Sequence, residues 1–125
     1  MYSFGEVVGQ HKVKERLLRS VHEGRVPHAM LLNGAEGHGA MALAMAMSKY
    51  LLCANPTDTD ACNACTSCKA IQSLQHPDLH FSFPFYNKSS SSSEHTLSDD
   101  FGEDWREMLL STCYFNTEYW IDRKS

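Results

Sequence analysis

Between Gln10 and Gly24 the apolar positions recur as Val13, Leu17, Leu18 and Val21, with Lys12, Lys14, Arg16 and Arg19 largely on the other side. That period predicts an amphipathic surface helix ending near Gly24, its basic side a solvated face. After Arg25-Val-Pro-His28 comes the run Ala29-Met-Leu-Leu32, too short for a helix and bounded by Pro27 and Asn33-Gly34, which predicts a buried strand. The Ala/Met/Leu-rich stretch from Ala40 to Leu52 predicts a second helix. A short helix is expected from Cys68 to Gln75, stopped at His76-Pro77 because proline disfavours helix in the residue before it. Leu79 to Phe85 alternates aromatic and small residues and predicts a strand. The segment from Asn87 to Ser98 holds the unbroken run Ser89 to Ser93 and lacks the apolar surface to order itself, so it reads as a mobile loop. Asp99-Asp100 then offers N-cap chemistry for a helix carrying Trp105, Met108, Leu109 and Leu110, and Asn116 or Thr117 opens a last turn with Tyr119, Trp120 and Ile121.

These elements predict an α/β protein, a partial P-loop fold in three layers with parallel strands flanked by helices. Residues 1–86 form the main unit with a cysteine module at 53–68, residues 87–98 the loop, and residues 99–125 a helical segment. At 125 residues, 42% hydrophobic and 21% charged, the chain has room for one modest core. A net charge of −4 argues against a surface that binds nucleic acid throughout. No apolar run reaches the roughly 20 residues that span a bilayer, and Met1 opens a charged helical pattern rather than a leader, so a cytoplasmic protein is expected, with no membrane partner.

Candidate chemistry sits in two places. Gly34, Gly37 and Gly39 have the G-x-x-G-x-G spacing of a phosphate-binding loop, between an expected strand and an expected helix. The two positions that should supply a lysine for the phosphates and a hydroxyl for Mg²⁺ are Ala40 and Met41. The shape is there and the chemistry is not, so ATP hydrolysis is not expected. With His38 these residues define at most a weak, degenerate anion site at a helix N-terminus.

The second place is Cys53, Cys62, Cys65 and Cys68, spaced C-x8-C-x2-C-x2-C. The short steps bring several thiolates around one point, as tetrahedral Zn–S coordination requires, and four sulfur ligands leave no open position for catalysis. Structural Zn²⁺, with Asn55 to Ala61 as a knuckle between two helices, is the first reading, and an iron–sulfur cluster is the alternative. In a reducing compartment clustered cysteines are metal ligands more often than disulfides. Cys113 stands apart and reads as a packed thiol. His76 and Asp78 read as a helix-to-strand turn rather than an acid–base pair.

Taken in order, Val7-Val-Gly-Gln10, Arg25-Val-Pro-His-Ala29, the Gly34–Gly39 loop, the cysteine knuckle and His76-Pro-Asp78 resemble the bacterial clamp-loader subunits of DNA polymerase III, which belong to the AAA+ class. The resemblance covers about residues 4 to 85; the serine-rich segment and the Trp105 helix look like an insertion of the kind seen in Bacteroides-type relatives. Within that family the loss at Ala40 and Met41 points to the delta prime type rather than the ATP-hydrolysing gamma/tau motors. The resemblance implies an amino-terminal part of an AAA+ domain that contacts the gamma/tau and delta subunits and, through them, a sliding clamp and primed DNA. It implies a non-catalytic role, with two rivals: an ATP-binding gamma/tau-like motor and a zinc-knuckle module that binds nucleic acid. A strand edge left open by so short a piece of sheet would favour self-association.

Overall fold

The computed structural model describes residues 2–35, 37–83 and 102–114. Its elements are a 3-10 turn at Phe4–Glu6 and four helices: α1 at His11–His22, α2 at Ala40–Leu52, α3 at Thr66–Gln72 and α4 at Gly102–Ser111. The mostly apolar α2 is the central element, packed against α1, α3 and the 3-10 turn.

Helices α1 and α3 end for local reasons. Gly24 takes φ +67 after α1, and Arg25 N–H donates to Ser20 O at 2.8 Å while Gly24 N–H donates to Val21 O at 3.1 Å, so a Schellman motif closes the helix. The same pair of bonds ends α3, from Gln75 N to Ala70 O and from Leu74 N to Ile71 O, but there the left-handed position is a leucine at φ +58. Packing of the Leu74 side chain against two apolar clusters offsets that backbone cost. Beyond it Asp78 N–H donates to His76 Nδ1 at 3.0 Å and Leu79 N–H to His76 O at 3.2 Å, which makes His76-Pro-Asp78 a turn, as its sequence suggests.

The core is continuous around α2. One cluster joins Phe4, Val7 and Leu17 to Ala42, Leu43, Ala46, Met47 and Tyr50. Another joins Tyr2 and Met45 to Ile71. The third is built on Trp105, Met108 and Leu109 of α4, with Phe83 stacked on the Trp105 ring at 4.6 Å between centroids. Helix α4 is also tied to the start of the chain, where the Tyr2 hydroxyl donates to Leu109 O at 2.8 Å and satisfies a carbonyl in the helix's last turn. Cys113 is half-buried and touches all three clusters, the packed thiol its sequence surroundings imply.

The expected strands are not formed. Among the described residues there is no strand, and Ala29 to Leu32, which the pattern reads as buried, instead leaves Leu31 89% exposed. A strand exists only by pairing, and among the described residues this run forms no ladder. Leu79 to Phe83 likewise forms no strand, and its aromatic side chains pack on α4 instead. The parallel sheet between helical layers is therefore not part of the described structure. Residues 87–98, Asp99-Asp100 and the turn expected after Asn116 lie outside the described residues.

Candidate metal centre and glycine loop

The four cysteines are delivered by three pieces of chain. Cys53 ends α2, Cys62 lies between α2 and α3, Cys65 is the N-cap of α3 and Cys68 sits in its first turn. Their sulfur atoms all lie within 4.8 Å of one another, with Cys65 to Cys53 at 3.9 Å and Cys62 to Cys68 at 4.0 Å. A tetrahedral ion with ~2.3 Å bonds to sulfur sets its ligands ~3.8 Å apart, so the spacing fits one ion. Asn63 at φ +62 turns the chain so that the Ala64 and Cys65 amides point back at Cys62 Sγ, at 3.5 and 3.3 Å. Cys62 N–H donates to Cys53 Sγ at 3.3 Å and Cys68 N–H to Cys65 Sγ at 3.4 Å.

These amides favour thiolates. Those of Ala64 and Cys65 hold the Cys62 thiol below its usual value, and those of Ala54 and Cys68 bring Cys65 down to about 6. Burial pushes Cys68 the other way, up to about 12, so its thiolate forms only against a cation. Four sulfurs within 4.8 Å of one another, two of them with thiol pKa values lowered by backbone amides, are a donor set that could hold a metal ion.

The knuckle loop is held from inside and outside. The Thr57 side chain accepts from Asp60 N at 3.0 Å and donates to Asp60 O at 2.9 Å. Tyr50 OH donates to Thr57 O at 2.6 Å and lies 3.0 Å from His22 Nε2, joining α2, the loop and α1. The Asp60 carboxylate accepts from Ala61 N at 2.9 Å and, far along the chain, from Phe4 N and Gly5 N, both at 3.0 Å. Asp60 was not singled out in sequence; the Thr57-Asp58-Thr59-Asp60 cluster of capping residues was the available signal.

The structure brings the glycine-loop residues together at the start of α2. Gly39 is the N-cap, at φ +87, and Gly37 has φ +78. His38 N–H is spent inside the turn, on Ala35 O at 3.2 Å, and His38 O accepts from the Gln10 side chain at 3.1 Å. Gly34, His38 and Ala40 line a pocket of about 490 Å³ shared with Gln10, Arg16 and Met30. Met41 does not face that pocket; its side chain packs against the Trp105 cluster and the Tyr2–Met45–Ile71 cluster. The Tyr114 ring lies on Gly39, where an added Cβ would meet its Cε1 at 3.0 Å, and its hydroxyl accepts from Val8 N at 3.0 Å. Sequence reasoning missed Tyr114, which nothing but its aromatic character marked.

Helix α2 thus carries the glycine turn at its N-terminus and the four-thiol cluster at its C-terminal end. Residues 9–103 match the family described as DNA polymerase III, delta subunit, and the chain belongs to that family, of the delta-prime-like clamp-loader kind. It is similar to the DNA polymerase III subunit delta' of Escherichia coli, at 37% identity over 61% of this chain and 23% of the relative, and to that of Bacillus subtilis, at 35% over 60% and 22%. Haemophilus influenzae subunit tau/gamma is 32% identical over 62% of this chain and 11% of its own length. The chain thus spans less than a quarter of the curated relatives it matches. No solved structure matches it. No described helix is long and apolar enough to cross a membrane.

Proposed function

We propose that this chain is a non-catalytic clamp-loader subunit of DNA polymerase III, delta prime-like, acting in cytoplasmic DNA replication through contacts with gamma/tau and delta subunits. Relatives named delta' and relatives named tau/gamma both match, so the loop decides between partner and motor. The observation that carries the reading is Met41. At the position where a motor needs a hydroxyl on Mg²⁺, this chain places a half-buried methionine packed against two core clusters, beside an alanine that offers no charge to a phosphate. The glycine turn is a degenerate nucleotide loop in this account, and the open segment at Ala29 to Leu32 belongs to an AAA+ sheet completed by further strands or by a second copy.

Zn²⁺ is the metal that suits the cysteines, in a structural role. Cys53, Cys62, Cys65 and Cys68 would hold it, and what it supplies is closure of the knuckle, with no open position for water or substrate. An iron–sulfur cluster would distribute the thiolates over several irons, which suits this compact set less well.

Phosphate release tests the reading. Wild type should release phosphate from Mg-ATP no faster than background, and so should the Ala40→Lys, Met41→Thr double variant, because a lysine and a hydroxyl alone do not position an attacking water. Turnover by wild type would make the motor reading the right one.

A further inference from the structure

The 3-10 turn at Phe4–Glu6 begins with an N-cap residue, Ser3, that makes no side-chain cap hydrogen bond. Its first amides are satisfied instead by Asp60, fifty-six positions on from Phe4, with one carboxylate oxygen on Phe4 N and the other on Gly5 N, each at 3.0 Å. A carboxylate there meets the orphan N–H groups of a helical turn with charge-assisted bonds. We propose that metal occupancy of the four-cysteine centre sets the order of the amino-terminal turn, with Asp60 as the positioning residue that carries the effect. The inference rests on the metal reading above and deepens it.

The geometry gives the route. Asp60 lies on the loop between Cys53 and Cys62, whose sulfurs are two corners of the centre, so a bound ion closes that loop at both ends. Closure removes loop entropy and holds the carboxylate where the turn needs it. Inside the loop the Thr57 hydroxyl and the Ala61 amide fix the Asp60 backbone and side chain. Without the ion the loop keeps these bonds, the Tyr50 hydroxyl and the Cys62 N–H to Cys53 Sγ contact, and loses the closure at its two cysteine ends.

The turn in its place organises three helices. Phe4 is buried and meets the Tyr50 ring of α2 edge-on at 5.8 Å. Val7 O accepts from Lys14 Nζ of α1 at 2.7 Å, and Tyr2, just before the turn, donates to Leu109 O of α4. Tyr2, Ser3, Glu6 and Val7 also form one wall of a pocket of about 230 Å³ that Tyr114 lines as well. Loss of metal would therefore be felt at this wall, well along the chain from the cysteines.

Amide hydrogen exchange of the 125-residue chain, resolved at single residues, tests the latch, with metal content measured on each sample. In the metal-loaded wild type Phe4 and Gly5 exchange slowly; chelation should accelerate both by about tenfold or more, while Met45 and Ala46 in α2 change by less than about twofold. Asp60→Ala should keep its metal, exchange fast at Phe4 and Gly5 from the start, and show no further response to chelation. Asp60→Asn, which keeps the shape and one acceptor oxygen, should fall between. The latch is overturned if wild-type Phe4 and Gly5 ignore a confirmed loss of metal, if Asp60→Ala still responds to chelation as wild type does, or if α2 accelerates equally. A wild type that binds no metal overturns the metal reading and the latch together, whereas metal present with indifferent amides overturns the latch alone.

Discussion

At Cys65 the backbone does what a metal site asks of it: amides from Ala54 and Cys68 hold the thiol near 6. Cys68, raised to about 12 by burial, must give up its proton when an ion binds. Binding at neutral pH therefore releases protons, and affinity should fall as pH falls, so a chelator should strip the metal faster at pH 6 than at pH 8. A metal release rate that does not depend on pH would contradict this assignment of thiol states. Cys65→Ser should lose the ion and loosen residues 53–68, read as metal content and as hydrogen exchange across α3. Met41→Thr takes a half-buried side chain away from two apolar clusters and should cost about 1–2 kcal/mol in urea unfolding, below the roughly 2–5 kcal/mol of a fully buried methionine cut to alanine. The cysteines were legible in sequence because ligand spacing is local. The roles of Asp60 and Tyr114 were not, because their partners at Phe4 and Gly39 lie far along the chain.

Among the elements, the helices were the readable part. Val13, Leu17, Leu18 and Val21 predicted α1 and its end at Gly24, and Trp105, Met108 and Leu109 predicted α4, because helical hydrogen bonds close within the segment itself. The strands expected at Ala29 to Leu32 and from Leu79 are not formed among the described residues for the converse reason: an apolar run says that a segment wants burial, and pairing needs a neighbour that the run does not specify. The glycine turn was readable as shape, and in the fold its His38 amide is bonded within the turn and a tyrosine ring lies against Gly39. Gly39→Ala should destabilise the chain by about 1–2 kcal/mol from the left-handed backbone alone. A clash with Tyr114 adds to this, so Gly39→Ala combined with Tyr114→Ala should recover part of the loss relative to the two single changes in thermal unfolding. Strict additivity would mean that the ring is not held against the glycine.

The whole molecule closes where Tyr2, Cys113 and α4 meet. Burial raises Cys113 from the ordinary 9.0 to about 11, and burial together with the neighbouring Cys113 raises Tyr2 from 10.0 to about 12. The folded chain holds both protons more tightly than the unfolded one, so their contribution to stability is complete below pH 9 and disappears as pH rises through these folded-state values. Thermal stability should fall between pH 9 and 12, and Tyr2→Phe should remove the upper part of that decline while lowering stability at neutral pH by about 1 kcal/mol for the lost bond to Leu109.

At the same scale stands the central proposal, that a loop with the outline of a nucleotide site serves packing and does not bind nucleotide. Calorimetric titration of Mg-ATP into the metal-loaded wild-type chain tests it most directly. The account predicts no saturable heat up to millimolar nucleotide. Stoichiometric binding at micromolar concentration would contradict it, because Met41 would then have to leave the core to make room for the metal.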